Sequence, residues 1–437
     1  MATISVIITI HNSEQFLREC MESVLLQTFS DIEILCIDGG STDKSSIIVE
    51  EYCNKDNRVR KILDPNTSYG HKINRGIVEA KGQYVAVLES DDYYDVTMLN
   101  DLYEIAEREN VDFVNANYTS FFDIEDYRFS RIVRMYNHNE YNRTIDYGDG
   151  YGELGNISRF WTGLFKKDFI LENNIFFNES PGASYQDMSF RFLTSVLCKR
   201  VYHLDKSVYW YRIDNPASSI HDSSKTVAIA DEHDFLRNEL LNRNITDERV
   251  WHDVLEWKYQ DFFGNMAFYN MEGENRDALF RRYRHELEKD RDLIIRYRVN
   301  GYNNLAECMM NDDAISVRKS IQRASLEYQE ELSKLNSVLT RCCGAEKENG
   351  IVIFGCGRRG KDLLEYLVSA CFQNYHLCDN SKEIQGNKIY DKTIYSISEI
   401  LAEHSDALFV VASKYGFKEM RKQLLDYGID DSKIVLY

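Results

Sequence analysis

The sequence has little of what marks linkers, disulfide frameworks and membrane spans. It contains three prolines in 437 residues, which argues against long disordered linkers. Its ten cysteines are scattered and form no CxxC pair, and no basic region or cleavage site follows Met1, so we expect a reduced, cytoplasmic protein. No apolar run approaches the roughly 18 residues of a membrane-spanning helix. Any membrane contact is therefore expected to be peripheral, at the inner face.

Positive charge is also scarce, because the formal net charge is -19. Nucleic acids and anionic membranes carry the same sign, so we expect no nucleic-acid partner, although a local basic patch could still bind phosphate. The length exceeds what one compact core usually holds and predicts two or three domains.

Residues 1–116 alternate between strand-like and helix-like segments. The predicted strands are 4–10, 32–37, 59–63, 84–88 and 112–116, and the predicted helices are a first one capped by Ser13 and those at 44–55, 72–80 and 96–110. Such alternation predicts a mainly parallel sheet with helices on both faces. Ligands of such sheets bind at the carboxyl ends of the strands, so the loops there are where chemistry is expected.

The most informative of these loops follows the apolar run 84–88 and reads Glu89-Ser90-Asp91-Asp92. Carboxylates at a strand end suit a metal ion and the phosphates it neutralises. The alternative is that Asp92 or Asp95 caps the following helix.

Two earlier loops are polar as well. The first runs from Thr9 to Glu14, and the second reads Asp38-Gly39-Gly40-Ser41-Thr42-Asp43. Glycines let the backbone approach a ligand, and Asp38 can accept a hydrogen bond from a base N–H or a ribose hydroxyl. A nucleotide fits these groups, whereas an ordinary turn explains the second loop equally well.

The order of the motifs resembles family 2 glycosyltransferases, which have the GT-A fold. The matching segments are Val6-Ile7-Ile8 with Asn12-Ser13-Glu14, 23–28, Ile37-Asp38 with 40–43, Asn74-Arg75-Gly76-Ile77, 80–84 and 88–92. The resemblance implies transfer of a sugar from a nucleotide diphosphate donor, with UDP the commonest nucleotide, to an acceptor hydroxyl with inversion, assisted by Mg²⁺ or Mn²⁺.

The resemblance also implies roles for individual residues. Metal binding falls first on Asp91, with Asp92 and Glu89 as weaker contributors, and on His221 in a later serine-rich loop. Donor contacts fall on Thr9, His11, Asn12, Glu14, Asp38, Gly39, Lys72, Asn74, Ser90 and Arg212. The chain departs from the family at Thr9, His11, Gly39 and Glu89, where proline, tyrosine, an acid and aspartate are usual.

Residues 117–225 are rich in tyrosine and phenylalanine, which suits either an acceptor surface that stacks on sugar rings or ordinary core packing. Within them, Gln186-Asp187 with the following Phe190 resembles the family's Glu-Asp motif, which would make Asp187 the general base. A helix cap is the alternative for Asp187. Arg212 or His221 could neutralise charge on the leaving group.

The rest of the chain divides into a helical stretch at 226–345, in which we identify no chemistry, and a Rossmann-like domain at 346–437. Residues 321–339 form either a connecting helix or a short seam of a homo-oligomer. In the Rossmann-like domain, a strand leads into Gly355, Gly357 and Gly360 and is followed by a helix, a second strand and Asp379. This order predicts a second nucleotide site. A structural or assembly domain is the alternative, and the segment is too short for a dehydrogenase.

We therefore predict a GT-A glycosyltransferase domain at 1–225, with a nucleotide-binding half (1–116) and an acceptor-binding half (117–225). The expected acceptor is a glycan or lipid-linked glycan in bacterial surface polysaccharide synthesis. Two rivals remain: a nucleotidyltransferase, which should carry a glycine-rich basic loop after its first strand, and a non-catalytic nucleotide-sugar sensor or scaffold.

Overall fold

A computed structural model describes residues 2–153, 159–183, 185–218, 228–268, 273–297 and 314–437. The chain divides into two compact units. The first comprises Met1–Thr119 and Ile132–Ser325, and the second comprises Ser120–Arg131 and Leu326–Tyr437. Within the described ranges, no helix combines the length and the apolar character that crossing a bilayer requires.

The larger sheet has ten strands. They are β1 (Ile4–Ile10), β2 (Ile32–Asp38), β3 (Val59–Leu63), β4 (Tyr84–Glu89), β5 (Tyr93–Tyr94), β6 (Phe113–Ile124), β7 (Tyr127–Val133), β8 (Thr144–Asp146), β9 (Gly163–Lys166) and β10 (Arg200–Arg212). The order is β3-β2-β1-β4-β9-β6-β10-β5, with β7 beside β6 and β8 beside β10. The first four strands in this order are mutually parallel, whereas β9 pairs antiparallel with both its neighbours. All seven residues of β1 are buried, because helices cover both faces of the sheet.

The helices of this part of the chain are α1 (Leu17–Leu25), α2 (Ser45–Lys55), α3 (Tyr69–Glu79), α4 (Met98–Glu109), α5 (Lys167–Glu172), α6 (Asp187–Leu197), α7 (Ala228–Asn242), α8 (Glu248–Phe268), α9 (Gly273–Arg296) and α10 (Ala314–Lys347). The predicted cap of α1 is wrong: the helix begins after Phe16, and the Ser13 hydroxyl bonds elsewhere. Neither Asp92 nor Asp95 is the N-cap of α4: the helix begins after Thr97 without a side-chain cap, and Asp95 Oδ1 accepts from the Thr97 amide (3.1 Å).

The second unit contains a six-stranded sheet. Its elements are β11 (Ile351–Phe354), α11 (Arg358–Ser369), β12 (Tyr375–Cys378), β13 (Lys388–Ile389), β14 (Lys392–Tyr395), α12 (Ile397–His404), β15 (Leu408–Val411), α13 (Phe417–Asp426) and β16 (Ile434–Leu436). The order is β13-β14-β12-β11-β15-β16, and only β13 pairs antiparallel among the described strands. Ile351 and Ile353 pack on one face and Val352 and Phe354 on the other, so helices cover both faces. The predicted α/β fold class is confirmed for both sheets.

One element departs clearly from the sequence prediction. The strand predicted at 112–116 continues to Ile124 and returns as β7. The tip of this hairpin, Ser120–Arg131, belongs to the second unit, where Phe122 and Phe129 stack at 5.6 Å. Because the hairpin packs against residues more than 200 positions later, local patterning does not reveal it.

Candidate functional site

Three parallel strands end side by side at one edge of the larger sheet. In the β1–β4 pairing Thr9 lies opposite Glu89, and in the β1–β2 pairing Ile10 lies opposite Asp38. Because the strands run in the same direction, the loops that follow them leave from the same edge. The structure thus brings together the three loops that carry the predicted site residues.

Side chains of the first two loops join these loops to each other. Asn12 Oδ1 accepts a hydrogen bond from the Thr42 amide (2.8 Å), and Glu14 Oε2 accepts one from the Lys44 amide (2.8 Å). The Asn12 amide also donates to Ser41 Oγ (3.1 Å). Both side chains, for which we predict donor contacts, are therefore engaged in fixing the shape of the loops.

The third loop is joined to the first through two hydroxyl groups. Ser90 Oγ lies 2.6 Å from Ser13 Oγ, and the Ser13 hydroxyl lies 3.3 Å from the His11 carbonyl oxygen that accepts from it. The His11 side chain is exposed. The three loops consequently form one hydrogen-bonded edge, with His11 accessible from solvent.

Asp38 is buried at this edge, and one of its two carboxylate oxygens is available to a ligand. Its Oδ1 accepts from the Ser41 amide (2.9 Å), whereas Oδ2 is buried and has no hydrogen-bond partner among the described residues. Burial alone would raise the pKa of Asp38, but the hydrogen bond from the Ser41 amide, the nearby hydroxyls of Ser41 and Ser46 and the charge of Lys61 together lower it. Asp38 is thus an ionised carboxylate whose free oxygen suits a ligand N–H or hydroxyl.

Lys72 places an ammonium group next to Asp38. A Cβ on Gly39 would lie only 2.7 Å from Lys72 Cε, so the glycine makes room for the lysine. Burial lowers the pKa of Lys72, while the charges of Asp64 and Asp38 oppose that change. A hydrogen-bond donor and an acceptor, Lys72 and Asp38, therefore lie together beside Gly39.

Glu89 is held from two sides and is surrounded by other acids. Thr9 Oγ1 donates to its Oε2 (3.4 Å), and the Tyr69 hydroxyl donates to its Oε1. Burial is the main cause that raises the pKa of Glu89 to about 7; the Tyr69 hydrogen bond opposes this, and the charges of Asp91 and Asp187 add to it. The electrostatic influence of Asp187 shows that it lies near the acidic loop, although almost 100 residues separate the two in sequence.

Asp91 and Asp92 differ in burial and in hydrogen-bond partners. Asp92 is 1% exposed, and its oxygens accept from the Tyr209 hydroxyl (2.7 Å) and the Arg212 amide (2.7 Å). Asp91 is half-buried and accepts from Asn215 Nδ2 through Oδ2 (2.7 Å). Asp92 thus ties the loop to β10, whereas Asp91 faces a less enclosed environment.

The role of Asp92 leads to a stability prediction. Tyr209→Phe leaves the buried Asp92 Oδ2 without its partner, so we expect it to lower the free energy of unfolding by about 1–3 kcal/mol. Tyr94→Phe is the matched control, because the Tyr94 ring is also buried but no described group bonds its hydroxyl. Urea denaturation of both variants checks this, and equal losses of stability would contradict the assigned role of the Tyr209 hydroxyl.

Arg212 is anchored inside the site. Its guanidinium donates to the Asp91 carbonyl oxygen through Nε (3.1 Å) and to Glu19 Oε2 through Nη2 (2.7 Å), and lies 4.4 Å from the centre of the Phe16 ring. The side chain is 4% exposed. Arg212 is thus paired with Glu19 and fixes the acidic loop in place, and a donor contact by Arg212 stays a prediction.

Asp187 begins α6, as predicted, and its side chain pairs with Arg191 Nη1 one turn later (3.3 Å). The preceding Gln186 is 1% exposed and donates from Nε2 to the carbonyl oxygens of Ser180 (3.0 Å) and Gly182 (2.9 Å). Gln186 stands where the resembling family has glutamate. Its amide group makes two donations that a carboxylate could not.

Asn74 is engaged with the same loop. Its Nδ2 donates to the Phe177 carbonyl oxygen (2.9 Å) and to Glu179 Oε1 (3.0 Å), while its Oδ1 accepts from the Phe177 amide (2.9 Å). Through these bonds, Asn74 fastens α3 to the segment that precedes Asp187. A donor contact by Asn74 stays a prediction.

Glu232 on α7 is a site residue that we did not predict. It is fully buried, and its Oε1 accepts from Asn178 Nδ2 (2.9 Å) and Ser180 Oγ (2.8 Å), while no described group bonds its buried Oε2. Tyr69 and Asn215 were also missed. All three are ordinary residue types in helical or loop segments, so only their contacts reveal them.

The environment of Glu232 predicts a pH dependence of stability. Burial raises its pKa to about 7, from 4.5 in the unfolded chain, against the hydrogen bonds from Ser180 and Asn178 and with a contribution from the charges of Asp187 and Asp231. Ionisation therefore costs stability in the folded state, and the cost grows as pH rises through this interval. Glu232→Gln, neutral throughout, should gain on the order of 3 kcal/mol relative to wild type between about pH 5 and about pH 8. A difference in melting temperature that is independent of pH would contradict this.

The acidic side chains of the third loop suit a metal ion whose coordination is completed by a bound ligand. Within the described ranges, no three His, Cys, Asp or Glu side chains form a metal site by themselves. Glu89 and Asp92 have both oxygens engaged with protein groups, which leaves Asp91 as the best-suited ligand. One or two carboxylates combined with substrate phosphates are a common arrangement for Mg²⁺. His221, the predicted additional ligand, lies outside the described residues.

In the second unit, the glycine loop is built as the motif predicts. A Cβ on Gly360 would lie 2.0 Å from the Gly355 carbonyl oxygen, whereas one on Gly357 would meet nothing within 4 Å. Asp379, however, accepts from the Cys356 amide through Oδ2 (2.7 Å) and from the Ser381 amide through Oδ1 (2.8 Å). Its oxygens therefore hold the loop, and a nucleotide site here stays a prediction.

Comparison with known proteins agrees with this geometry. Residues 5–169 match the model of glycosyl transferase family 2, and residues 347–435 match the model described as C2185-like, N-terminal. A crystal structure of S. aureus TarS 1–349 in complex with UDP-GlcNAc is 18% identical, covers 76% of this chain and 92% of that one, and has a TM-score of 0.52. At this identity the match establishes the fold.

Two of the curated relatives are bacterial glycosyltransferases. The uncharacterized glycosyltransferase EpsJ of Bacillus subtilis (strain 168) is 31% identical over 223 residues, 49% of this chain and 62% of EpsJ. Glycosyltransferase GlyG of Streptococcus pneumoniae serotype 4 is 38% identical over 119 residues, 27% of this chain and 40% of GlyG. The matched part of this chain thus spans less than two thirds of either relative.

Proposed function

Because residues 5–169 match the model of glycosyl transferase family 2 and the chain shares the fold of TarS, we propose that the protein belongs to this family and transfers a sugar from a nucleoside diphosphate sugar to an acceptor hydroxyl. The observation that carries this proposal is that the loops of Asp38 and Asp91 leave the same edge of the sheet, where the charge of Asp187 also acts on Glu89. These residues supply an acceptor for a nucleotide, a ligand for a metal ion and a base.

We propose UDP as the nucleotide. Uracil presents an N–H flanked by carbonyl oxygens, and a carboxylate beside an ammonium group complements such an edge. Asp38 Oδ2 would accept from the N–H, and Lys72 would donate to a neighbouring carbonyl oxygen. TarS, which shares the fold, was solved with UDP-GlcNAc, and this supports the same choice.

Asp91 would hold a Mg²⁺ or Mn²⁺ ion together with the diphosphate of the donor. When bound, the ion would neutralise charge that develops on the diphosphate as it leaves. Asn215 orients the Asp91 carboxylate through its 2.7 Å hydrogen bond. Arg212 holds the Asp91 backbone at the same time.

Asp187 would act as the general base. The acceptor oxygen forms a bond to C1 of the sugar, its proton passes to the Asp187 carboxylate, and the C1–O bond breaks with its electron pair leaving on the diphosphate. A single displacement of this kind inverts the configuration at C1. A positioned base typically contributes about 10²- to 10⁴-fold to such a step.

The acceptor is proposed to be a glycan or lipid-linked glycan of a bacterial surface. Trp161 and Tyr211 stack at 5.2 Å, and the Tyr118 ring meets Trp161 edge-on at 5.0 Å. The charges of Asp91 and Asp92 act on Tyr211, so this aromatic cluster adjoins the acids. Trp161 is buried, so the partly exposed rings of Tyr118 and Tyr211 are the ones we propose for contact with a sugar ring.

A thermal-shift screen of UDP, GDP, CDP, dTDP and their sugars tests the nucleotide. We expect UDP compounds with Mn²⁺ to raise the melting temperature most, since a ligand at 100 times its Kd adds about 2.7 kcal/mol to stability. A larger shift with GDP would overturn the choice of UDP. Pyrophosphate production from UTP and a sugar phosphate would instead favour a nucleotidyltransferase, and binding without donor cleavage would favour a sensor or scaffold.

A further inference from the structure

A buried acid from the helical region lies behind the loop that carries Asp187. Glu232 belongs to α7, outside the ten-stranded sheet, and is 0% exposed. Its Oε1 accepts two hydrogen bonds, from Asn178 Nδ2 and Ser180 Oγ. Burying a carboxyl group has a large free-energy cost unless it is hydrogen-bonded. The burial of Glu232 therefore requires an explanation.

A short series of hydrogen bonds connects Glu232 to the proposed base. Glu232 fixes the Ser180 side chain (2.8 Å), the Ser180 carbonyl oxygen accepts from Gln186 Nε2 (3.0 Å), and Gln186 precedes Asp187 directly. The charge of Asp187 also contributes to the raised pKa of Glu232. The two carboxyl groups are therefore both connected and close.

The opposite side of the same loop is fastened to α3. The Tyr69 amide donates to the Gly182 carbonyl oxygen (2.8 Å) and the Gly182 amide donates to the Thr67 carbonyl oxygen (3.2 Å). Asn74 holds Phe177 in the same way. Segment 178–183 is thus clamped between α3, which carries the Glu89 partner Tyr69, and α7, which supplies Glu232.

Gln186 and Glu232 bond complementary groups of the same loop. The amide nitrogen of Gln186 donates to two carbonyl oxygens, and a carboxylate in its place would face these oxygens without a proton to donate. The Ser180 hydroxyl and the Asn178 side-chain amide need an acceptor instead. Glu232 is that acceptor.

We propose that Glu232 is a positioning residue for sugar transfer: by accepting from Asn178 and Ser180 it holds segment 178–183, and through Gln186 it fixes where Asp187 meets the acceptor. The inference rests on the proposed function of Asp187. Glu232 acts through its hydrogen bonds, so an amide oxygen at the same place should serve as well.

The test compares Glu232→Ala and Glu232→Gln with Asp231→Ala, which removes the neighbouring acid on the same helix, 61% exposed in its side chain. We expect Glu232→Ala to lower kcat about 10- to 100-fold, the effect of a small misplacement of a catalytic group, with the donor KM changed less than about twofold. Glu232→Gln and Asp231→Ala should keep kcat within about threefold of wild type. Ser180→Ala, a milder change for folding, should lower kcat in the same direction as Glu232→Ala.

Hydrogen exchange of 178–183 in the full chain without substrate separates this inference from the activity. Faster exchange in Glu232→Ala, with wild-type exchange in Glu232→Gln, is the expected result and requires no knowledge of the donor. Unchanged exchange in Glu232→Ala, wild-type kcat in Glu232→Ala, or equal loss of kcat in the alanine and glutamine variants would overturn the positioning role. A wild-type protein that cleaves no donor, with the expected exchange pattern, would instead overturn the proposed function.

Discussion

Asp187→Asn should lower the rate of sugar transfer by about 10²- to 10⁴-fold and leave the affinity for the donor nearly unchanged. The amide has the shape of the carboxylate and can still accept from Arg191 Nη1, which lies 3.3 Å away in the wild type. It cannot take a proton from the acceptor hydroxyl. Transfer measured with a radiolabelled donor, beside calorimetry with UDP, separates the two effects.

Asp168→Asn is the matched control for this substitution. Asp168 also lies in the first turn of a short helix, α5, but is exposed, so its neutralisation should leave transfer unchanged. If Asp187→Asn transfers sugar at the wild-type rate, Asp187 is not the base. If it loses donor affinity as strongly as rate, the residue binds the donor and does not act on the acceptor.

Asp91→Ala should abolish the metal-dependent part of donor binding. Asp91 is the acid of the loop that is not fully engaged with protein groups, and a Mg²⁺ or Mn²⁺ ion relies on few protein carboxylates when phosphates complete its coordination. Calorimetry with UDP and Mn²⁺ measures the effect. The variant with Mn²⁺ should bind UDP as weakly as wild type does in EDTA, because both retain the proposed Asp38 and Lys72 contacts and lack the metal ion.

Asn215→Ala gives a graded version of the same experiment. Removing a group that orients a metal ligand typically costs 10- to 100-fold in metal affinity, so this variant should fall between wild type and Asp91→Ala. Unchanged binding of UDP and Mn²⁺ by Asp91→Ala would contradict the metal assignment. An Asn215→Ala variant weaker than Asp91→Ala would place the metal contact elsewhere.

The sequence predicts the sheet that carries the site because the strands are buried on both faces. The range 4–10 predicted for the first strand is the range of β1, and the predicted 84–88 is the buried part of β4, Tyr84–Glu89. Continuous apolar runs that end in polar loops are a local signal. The placement of Asp38 and Glu89 at the same edge of the sheet then follows from the parallel pairing of β2 and β4 with β1.

What each polar residue does could not be predicted in the same way. Asn74 bonds with Phe177, 103 residues later, and Asn12 bonds with Thr42, 30 residues later. Asparagine bonds backbone groups and ligands with the same atoms, so a motif cannot separate the two uses. The structure shows the backbone bonds, and the predicted donor contacts stay predictions.

Glu232 is a further residue whose contacts could not be predicted from the sequence. It lies in a charged helical stretch in which we identified no chemistry from sequence, and in which the buried acids Glu232, Glu286 and Asp290 are scattered among exposed ones without a local signal. Only the long-range contacts with Asn178 and Ser180 distinguish it. The hairpin of β6 and β7 was missed for a related reason, since its buried rings pack against a distant part of the chain.

Cleavage of a UDP-sugar by the wild-type chain tests the central claim most directly. The account predicts that the protein releases UDP from at least one UDP-sugar, that EDTA stops the release and that Mn²⁺ restores it. Absence of nucleotide release from every UDP-, GDP-, CDP- and dTDP-sugar, in the presence of Mn²⁺ and a mixture of glycan acceptors, would contradict it.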